Sequence, residues 1–246
     1  EIDVYPGATL TGIAYCVVSN PSIYVEKISI TIDPNGLTYS GPSSVQLGPG
    51  EEEEIQVGFY EEERAEVGSR EITIEAQVTH VNELTNPVNT TSTQVLNVRI
   101  MQYAEIAIEV EEPIITLQTK VDYTVTFRIF NHGNGQDKMR FSIQNHDQLS
   151  DLGFTVHLHL ISMEMLATDV PSKMGIQMRT PKDFSEWSVN SDGDHELEAT
   201  IQLVVTSDFS VRESHIVSES VLQKVIVLHE QSESIFVSGS SSQYLL

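Results

Sequence analysis

Apolar and polar residues alternate with a period of two along most of the chain. Ile28, Ile30 and Ile32 alternate with Ser29 and Thr31. Ile55, Val57 and Phe59 alternate with Gln56 and Gly58. Ile72, Ile74, Ala76 and Val78 alternate with Thr73, Glu75 and Gln77. Successive side chains of a strand point to opposite faces, so each run predicts a strand with one face in a core and one in water. Residues 9–18 are apolar on both faces, which predicts a central strand. Between the runs lie Pro6-Gly7, Asn20-Pro21, Pro34-Asn35-Gly36, Gly41-Pro42 and Pro49-Gly50, all turn chemistry. Short strands punctuated in this way predict a β-sandwich. A last strand at residues 94–100 gives the unit the ~100-residue size of an immunoglobulin-like domain.

The second half has the same grammar. Ile106, Ile108 and Val110 open it and Glu111-Glu112-Pro113 breaks the run. Tyr123, Val125, Phe127 and Ile129 alternate with Thr124, Thr126 and Arg128, and Asn131-His132-Gly133-Asn134-Gly135 predicts a tight turn. Met139, Phe141 and Ile143 form one further inward face, and Phe154, Val156, Leu158 and Leu160 another. Leu197, Ala199, Ile201, Leu203 and Val205 predict a late strand, and residues 221–228 the closing one. Residues 212–223 fit helix or strand, and their surroundings favour strand. Residues 162–190 stand out as an insert.

The halves resemble one another. Residues 13–21 and 123–131 are both β runs ending in Asn and a turn, and each is followed by an alternating strand, at 27–32 and 138–143. Tandem similar units are the mark of a domain array. The expected fold class is therefore all-β, with two tandem immunoglobulin-like β-sandwich domains at 1–102 and 103–230 and a Ser-rich tail or linker at 231–246. Within that tail Ile235, Phe236 and Val237 are apolar enough to pair as a strand. No long linker separates the halves, so a stiff junction is expected near residues 101–104, with Tyr103 packed in it.

Composition narrows the function classes. With 13 Lys+Arg against 36 Asp+Glu in 246 residues, the net charge is −23. Such a surface repels phosphate, which argues against nucleic-acid binding and against docking on anionic lipid. A single Cys forms no internal disulfide and no zinc-finger framework. That argues against a small secreted eukaryotic module. No stretch approaches the roughly 18 apolar residues of a membrane helix, so direct membrane insertion is not expected. The chain opens at Glu1 without a Met or a basic-apolar leader, and reads as a mature or excised piece of a longer product.

The first half also carries Leu47-Gly48-Pro49-Gly50-Glu51 and Glu66-Val67-Gly68-Ser69-Arg70-Glu71-Ile72, with the Ile72 to Ala76 alternation after them. This pattern resembles CARDB-like and NEW3-like immunoglobulin-fold modules of archaeal and bacterial cell-surface proteins, where a Pro-Gly-Glu turn opens a core-covering strand. In the second half Asn131-His132-Gly133-Asn134, followed by Asp137, looks like the Asn-x-Gly-Asn turn of those modules. The match is fuller over the first half: the second has Gln118-Thr119-Lys120 where Pro-Gly-Glu would stand. The resemblance implies a spacer, adhesin, surface-layer or accessory module, and supplies no catalytic residues.

Candidate chemistry is sparse. Asn190, Asp192, Asp194 and Glu196 set oxygen side chains around Gly193, the donor type and spacing that wrap calcium, although Asp-Gly is equally a hairpin signal. Calcium is the one cofactor this suggests. Glu51 to Glu54 and Glu61 to Glu63 are read as solvated strand edges before calcium sites. His157 and His159 share one strand face without further ligands. Cys16 reads as a small buried hydrophobe, and Trp187 as packing before sugar stacking. Asn89-Thr90-Thr91 is a single glycosylation sequon. No nucleophile elbow, phosphate loop, dinucleotide fingerprint or zinc-protease motif occurs.

The expected function is a non-enzymatic extracellular structural protein of a prokaryotic, archaeal cell surface: a surface-layer, stalk or adhesin segment. Its expected partners are other copies of itself or neighbouring domains of a parent protein. Two alternatives are a filament subunit joined by strand exchange through residues 2–5 or 235–237, and a carbohydrate-binding module that meets surface glycans through residues 162–190.

Overall fold

The computed structural model describes residues 1–8 and 12–229; the tail at 231–246, with Ile235 to Val237, lies outside the described residues. The first half is built of β1 (Ile2–Val4), β2 (Gly12–Ser19), β3 (Glu26–Asp33), β4 (Thr38–Ser40), β5 (Ser44–Leu47), β6 (Glu52–Tyr60), β7 (Gly68–Val81) and β8 (Leu84–Ile100). One sheet has the order β1-β8-β7-β3-β5 and the other β2-β6-β4. The alternating residues meet between them: Ile28, Ile30, Ile72, Ile74 and Val98 from the first sheet face Ala14, Val18, Ile55, Val57 and Phe59 from the second.

The second half comprises β9 (Ile106–Val110), β10 (Ile114–Gln118), β11 (Asp122–Asn131), β12 (Asp137–Ile143), α1 (His146–Asp151), β13 (Thr155–Leu158), β14 (Ser162–Met165), β15 (Thr168–Arg179), β16 (Ser188–Val189), β17 (His195–Ser207), α2 (Asp208–Arg212) and β18 (Ser218–His229). Its sheets run β10-β18-β17-β12-β14, with β16 on β17, and β13-β15-β11-β9. Val125, Phe127, Ile129 and Ile176 pack across to Phe141, Ile201, Leu203, Val225 and Val227. The chain is all-β in architecture, as expected, and each half encloses a hydrophobic core of its own: one cluster draws only on residues 4–100 and the other only on 106–227.

The two sandwiches share an unusual path. After β3 the chain crosses to the other sheet for β4, which pairs with β6, and returns for β5, which pairs with β3. After β12 it likewise crosses for β13 on β15 and returns for β14 on β12. In both, the first short strand of the larger sheet runs parallel to the last, β1 with β8 and β10 with β18. The counterparts are β2 and β11, β3 and β12, β6 and β15, β7 and β17, β8 and β18. β9, paired antiparallel with β11, has no counterpart among the described residues of the first sandwich.

Four expectations change. β2 is an edge strand, not a central one: only β6 pairs with it, and Ile13, Tyr15 and Val17 point outward at 38%, 59% and 63% exposure. Apolar alternation on both faces signals two covered faces only when a layer lies on each, and here the outer layer is water. Residues 162–190 are not an insert throughout, because β15 is the central partner of β11 and carries the buried Met174, Ile176 and Met178. Within 212–223, strand begins only at Ser218. The stretch before it holds the end of α2, whose start is fixed by Ser207 accepting from the Ser210 N–H and by Asp208 in the first turn. Leu160 is 48% exposed, so the inward face of β13 ends at the half-buried Leu158.

Candidate functional site

The residues with the most developed polar geometry lie where the sandwiches meet. β8 ends at Ile100 and β9 begins at Ile106, leaving residues 101–105 as the whole connection. The turn between β11 and β12 projects against this segment. Asn134, 3% exposed, sends its amide to the carbonyls of Ala65 (3.0 Å) and Met101 (2.8 Å), and its oxygen accepts the Tyr103 N–H at 2.8 Å. One side chain of the second sandwich thus ties the β6–β7 loop of the first to the linker. The Val67 N–H adds a bond to the Asn134 carbonyl at 3.3 Å. Tyr103 hydroxyl donates to the His132 carbonyl at 3.3 Å, and burial pushes its pKa up, with Glu63 and Glu105 acting in the same direction.

Glycine makes this approach possible. A Cβ on Gly133 would sit 2.5 Å from the Tyr103 carbonyl oxygen, and one on Gly135 would sit 2.9 Å from Gln102 and 3.0 Å from Val67. At the rim Arg64 pairs with Asp169, and a second guanidinium nitrogen stands 3.2 Å from His132 Nδ1. The hydrogen bond and charge of Arg64 hold the Asp169 carboxyl below its ordinary range. On another side of the linker a cleft of about 720 Å³ separates Tyr5, Arg99 and Met101 from Phe209 and His215. What the arrangement does chemically is hold two bodies in one relative placement by short directional contacts.

The first sandwich is open along one side. Between the outer edge of β2 and the upper part of β8 runs a groove of about 850 Å³, lined by Cys16, Val18, Ile28, Ile74, Ser92 and Leu96 among others. Cys16 is half-buried there, and burial raises its thiol pKa, the direction that makes a thiol inert.

The candidates taken from the sequence do not converge on either feature. Asn190, Asp192 and Asp194 form the hairpin turn between β16 and β17, and Glu196 lies on β17 opposite Ser188. Asn190 Oδ1 accepts the N–H groups of Asp192 and Asp194, both at 3.0 Å, and Gly193 takes φ +90°. Among the described residues no group of three or more His, Cys, Asp or Glu is placed to hold a metal ion. Asn89 is exposed on β8, its oxygen accepting from Gln77 at 2.7 Å. His157 and His159 are exposed, and Trp187 packs against the second core. Glu51 accepts the Gly48 N–H at 2.7 Å and Glu61 the Thr38 N–H at 2.9 Å, while Glu52, Glu53 and Glu54 are exposed. Sequence reasoning placed Tyr103 in the junction but missed Asn134. The sequence marks Asn134 as a turn residue between Gly133 and Gly135 but carries no sign of its partners Ala65 and Met101.

No family model and no curated protein matches the chain. The turn motifs alone therefore carry the resemblance to CARDB-like and NEW3-like modules. Solved structures align along most of it at 10–11% identity. A protein of unknown function from Porphyromonas gingivalis W83 aligns over 91% of this chain and 92% of its own, with TM-score 0.33. A mouse clustered protocadherin fragment, EC1-3, aligns over 92% and 64%, with TM-score 0.44. Domains 4 and 5 of the S-layer protein SbsC align over 81% and 75%, with TM-score 0.31. At such scores the sandwich assignment rests on this chain's own strand pairing. No helix among the described residues is long and apolar enough to cross a membrane.

Proposed function

We propose that the chain is a non-enzymatic structural segment of an extracellular protein on a prokaryotic, archaeal cell surface, where its paired sandwiches act as a stiff spacer in a surface layer, stalk or adhesin. The observation that carries this reading is the Asn134 clamp: buried amide bonds to Ala65 and Met101, with glycines that let the backbones touch, favour one fixed placement of the domains over a hinge. A net charge of −23 without disulfides suits a surface exposed to concentrated salt. Its partners are then neighbouring domains of a parent chain or further copies. The test is the distance distribution between spin labels placed one on each sandwich. A single narrow distance that broadens in Asn134→Ala supports the spacer. A broad distribution in the unaltered protein sinks it.

A further inference from the structure

Two strands of the second sandwich, the two-residue β16 and the longer β9, have no counterpart among the described residues of the first, and the lack of a β9 equivalent leaves an uncovered edge of defined shape. In the second, β9 covers the edge of β11, with Ile106 opposite Asn131, Ile108 opposite Ile129 and Val110 opposite Phe127. The same place in the first lies along β2 from Asn20 back to Cys16, and among the described residues nothing pairs there. Coverage differs accordingly. Ile129 and Phe127 are fully buried, whereas their counterparts Val18, at 9%, and the half-buried Cys16 line the open groove. An unpaired edge beside an apolar groove is a template for an added strand.

We propose that residues 235–239 of a second copy fill this place, joining copies head to tail by strand donation. The spacing matches: Ile106 follows the end of β8 at Ile100 by six residues, and Ile235 follows the end of β18 at His229 by six. The pattern matches too, since Ile235 and Val237 would face inward opposite Asn20 and Val18, as Ile106 and Ile108 do opposite Asn131 and Ile129. Reach excludes the chain's own groove. β18 runs away from the first sandwich for 12 residues, about 40 Å, while six extended residues span at most about 20 Å. The receiving end is also prepared. The turn after Asn20 corresponds to the turn that docks Asn134, and it exposes Ile23, Tyr24 and Val25 at 79%, 48% and 39%.

This goes beyond the spacer reading, and its test is separate. In the proposed register Gly239 lies opposite Cys16 of the next copy. Directly opposed residues of antiparallel strands have Cα atoms about 4.5–5.5 Å apart, within disulfide range. Full-length Gly239→Cys, mildly oxidised, should give a ladder of dimers, trimers and longer chains that reductant collapses. The ladder should strengthen with salt, which screens the repulsion between acidic copies. Adding Ile235→Asp should reduce it about tenfold or more, because a carboxylate would enter the core opposite Asn20. Adding Cys16→Ser should leave dimers at most. Unchanged Trp187 fluorescence would show that the second sandwich of each variant stays folded. A ladder no stronger than that of Asp147→Cys on the exposed start of α1 overturns the proposal. So does a ladder indifferent to Ile235→Asp, or a monomer by light scattering at every salt concentration. A rigid junction without a ladder would leave the spacer reading intact, and a ladder with a mobile junction would do the reverse.

Discussion

Asn20 and Asn131 share three equivalent hydrogen bonds in two different sandwiches. Asn20 directly follows β2 and Asn131 ends β11, and each is 1% exposed. Each amide donates to the carbonyl four residues on, Tyr24 at 2.8 Å and Gly135 at 2.9 Å. Each donates again to the last carbonyl of the returning short strand, Leu47 at 3.1 Å and Met165 at 3.2 Å. Each oxygen accepts the N–H two residues on, from Ser22 at 2.9 Å and Gly133 at 3.1 Å. A carboxamide offers an NH2 donor and a carbonyl acceptor on opposite sides of one short side chain, so it can close both the turn and the sheet corner.

Asn20→Ala should therefore destabilise the first sandwich by about 2–3 kcal/mol, since it leaves buried carbonyls without a donor. Asn20→Asp should be worse, because it sets an acceptor against acceptors. The only Trp, Trp187, packs on the second core, so its fluorescence reports that sandwich alone. Calorimetry should show a lowered transition for the first sandwich while the urea midpoint of Trp187 fluorescence barely moves. Asn131→Ala should move the Trp187 midpoint. Equal effects of both variants on Trp187 would mean the sandwiches unfold as one body.

At the junction, Asn134→Ala removes three hydrogen bonds, and Gly133→Ala forces a methyl against the Tyr103 carbonyl. Each should loosen the pair of domains while leaving both cores folded. Loss of coupling of about 2 kcal/mol is expected for Asn134→Ala. X-ray scattering should show a broader distribution of maximum dimension, with circular dichroism unchanged. Scattering identical to the unaltered protein would show that the remaining linker contacts suffice.

The strands were legible because alternation is a local signal. Ile28 to Ile32 and Ile72 to Ala76 face a core wherever the chain runs next. The outward Ile13, Tyr15 and Val17 misled for the same reason, since periodicity says that a face is apolar and not what covers it. α1 and α2, of 6 and 5 residues, are too short to show a helical period. The duplication was visible in the Asn at the end of each β run. The work of Asn134 was not, because its partners Ala65 and Met101 are brought to it only by the second sandwich docking on the first.

The Arg64–Asp169 pair makes the rim of the junction sensitive to acid. Arg64 holds the Asp169 carboxyl below its ordinary value of 3.8, so the tie is fully present above that value and is lost as pH falls through the lower folded-state pKa. The spin-label distance should stay constant between about pH 5 and pH 8 and broaden only below about pH 3.8. Arg64→Ala should show part of that broadening at neutral pH, and high salt should reproduce it, because both side chains are exposed at 55% and 75%. A transition near neutral pH would point to other groups.

Asp137 anchors the second sandwich to the same region from within. Its Oδ1 accepts from the Phe209 N–H at 2.9 Å and the Lys138 N–H at 2.7 Å, and its Oδ2 accepts a hydrogen bond from the Ser207 hydroxyl. Ser207, fully buried, in turn caps α2 by accepting the Ser210 N–H at 3.0 Å. Asp137→Ala strands the Ser207 hydroxyl and the Phe209 N–H together, and should cost about 3 kcal/mol in the urea midpoint read by Trp187. Ser207→Ala keeps the Asp137 bond to Phe209 and should cost about 1–2 kcal/mol, the usual loss for a helix cap. Phe209 and Ser210 face Met101 and Tyr103 across the cleft, so Asp137→Ala should also broaden the spin-label distance. Were Asp137→Ala no more costly than Ser207→Ala, the carboxylate would act only through the cap.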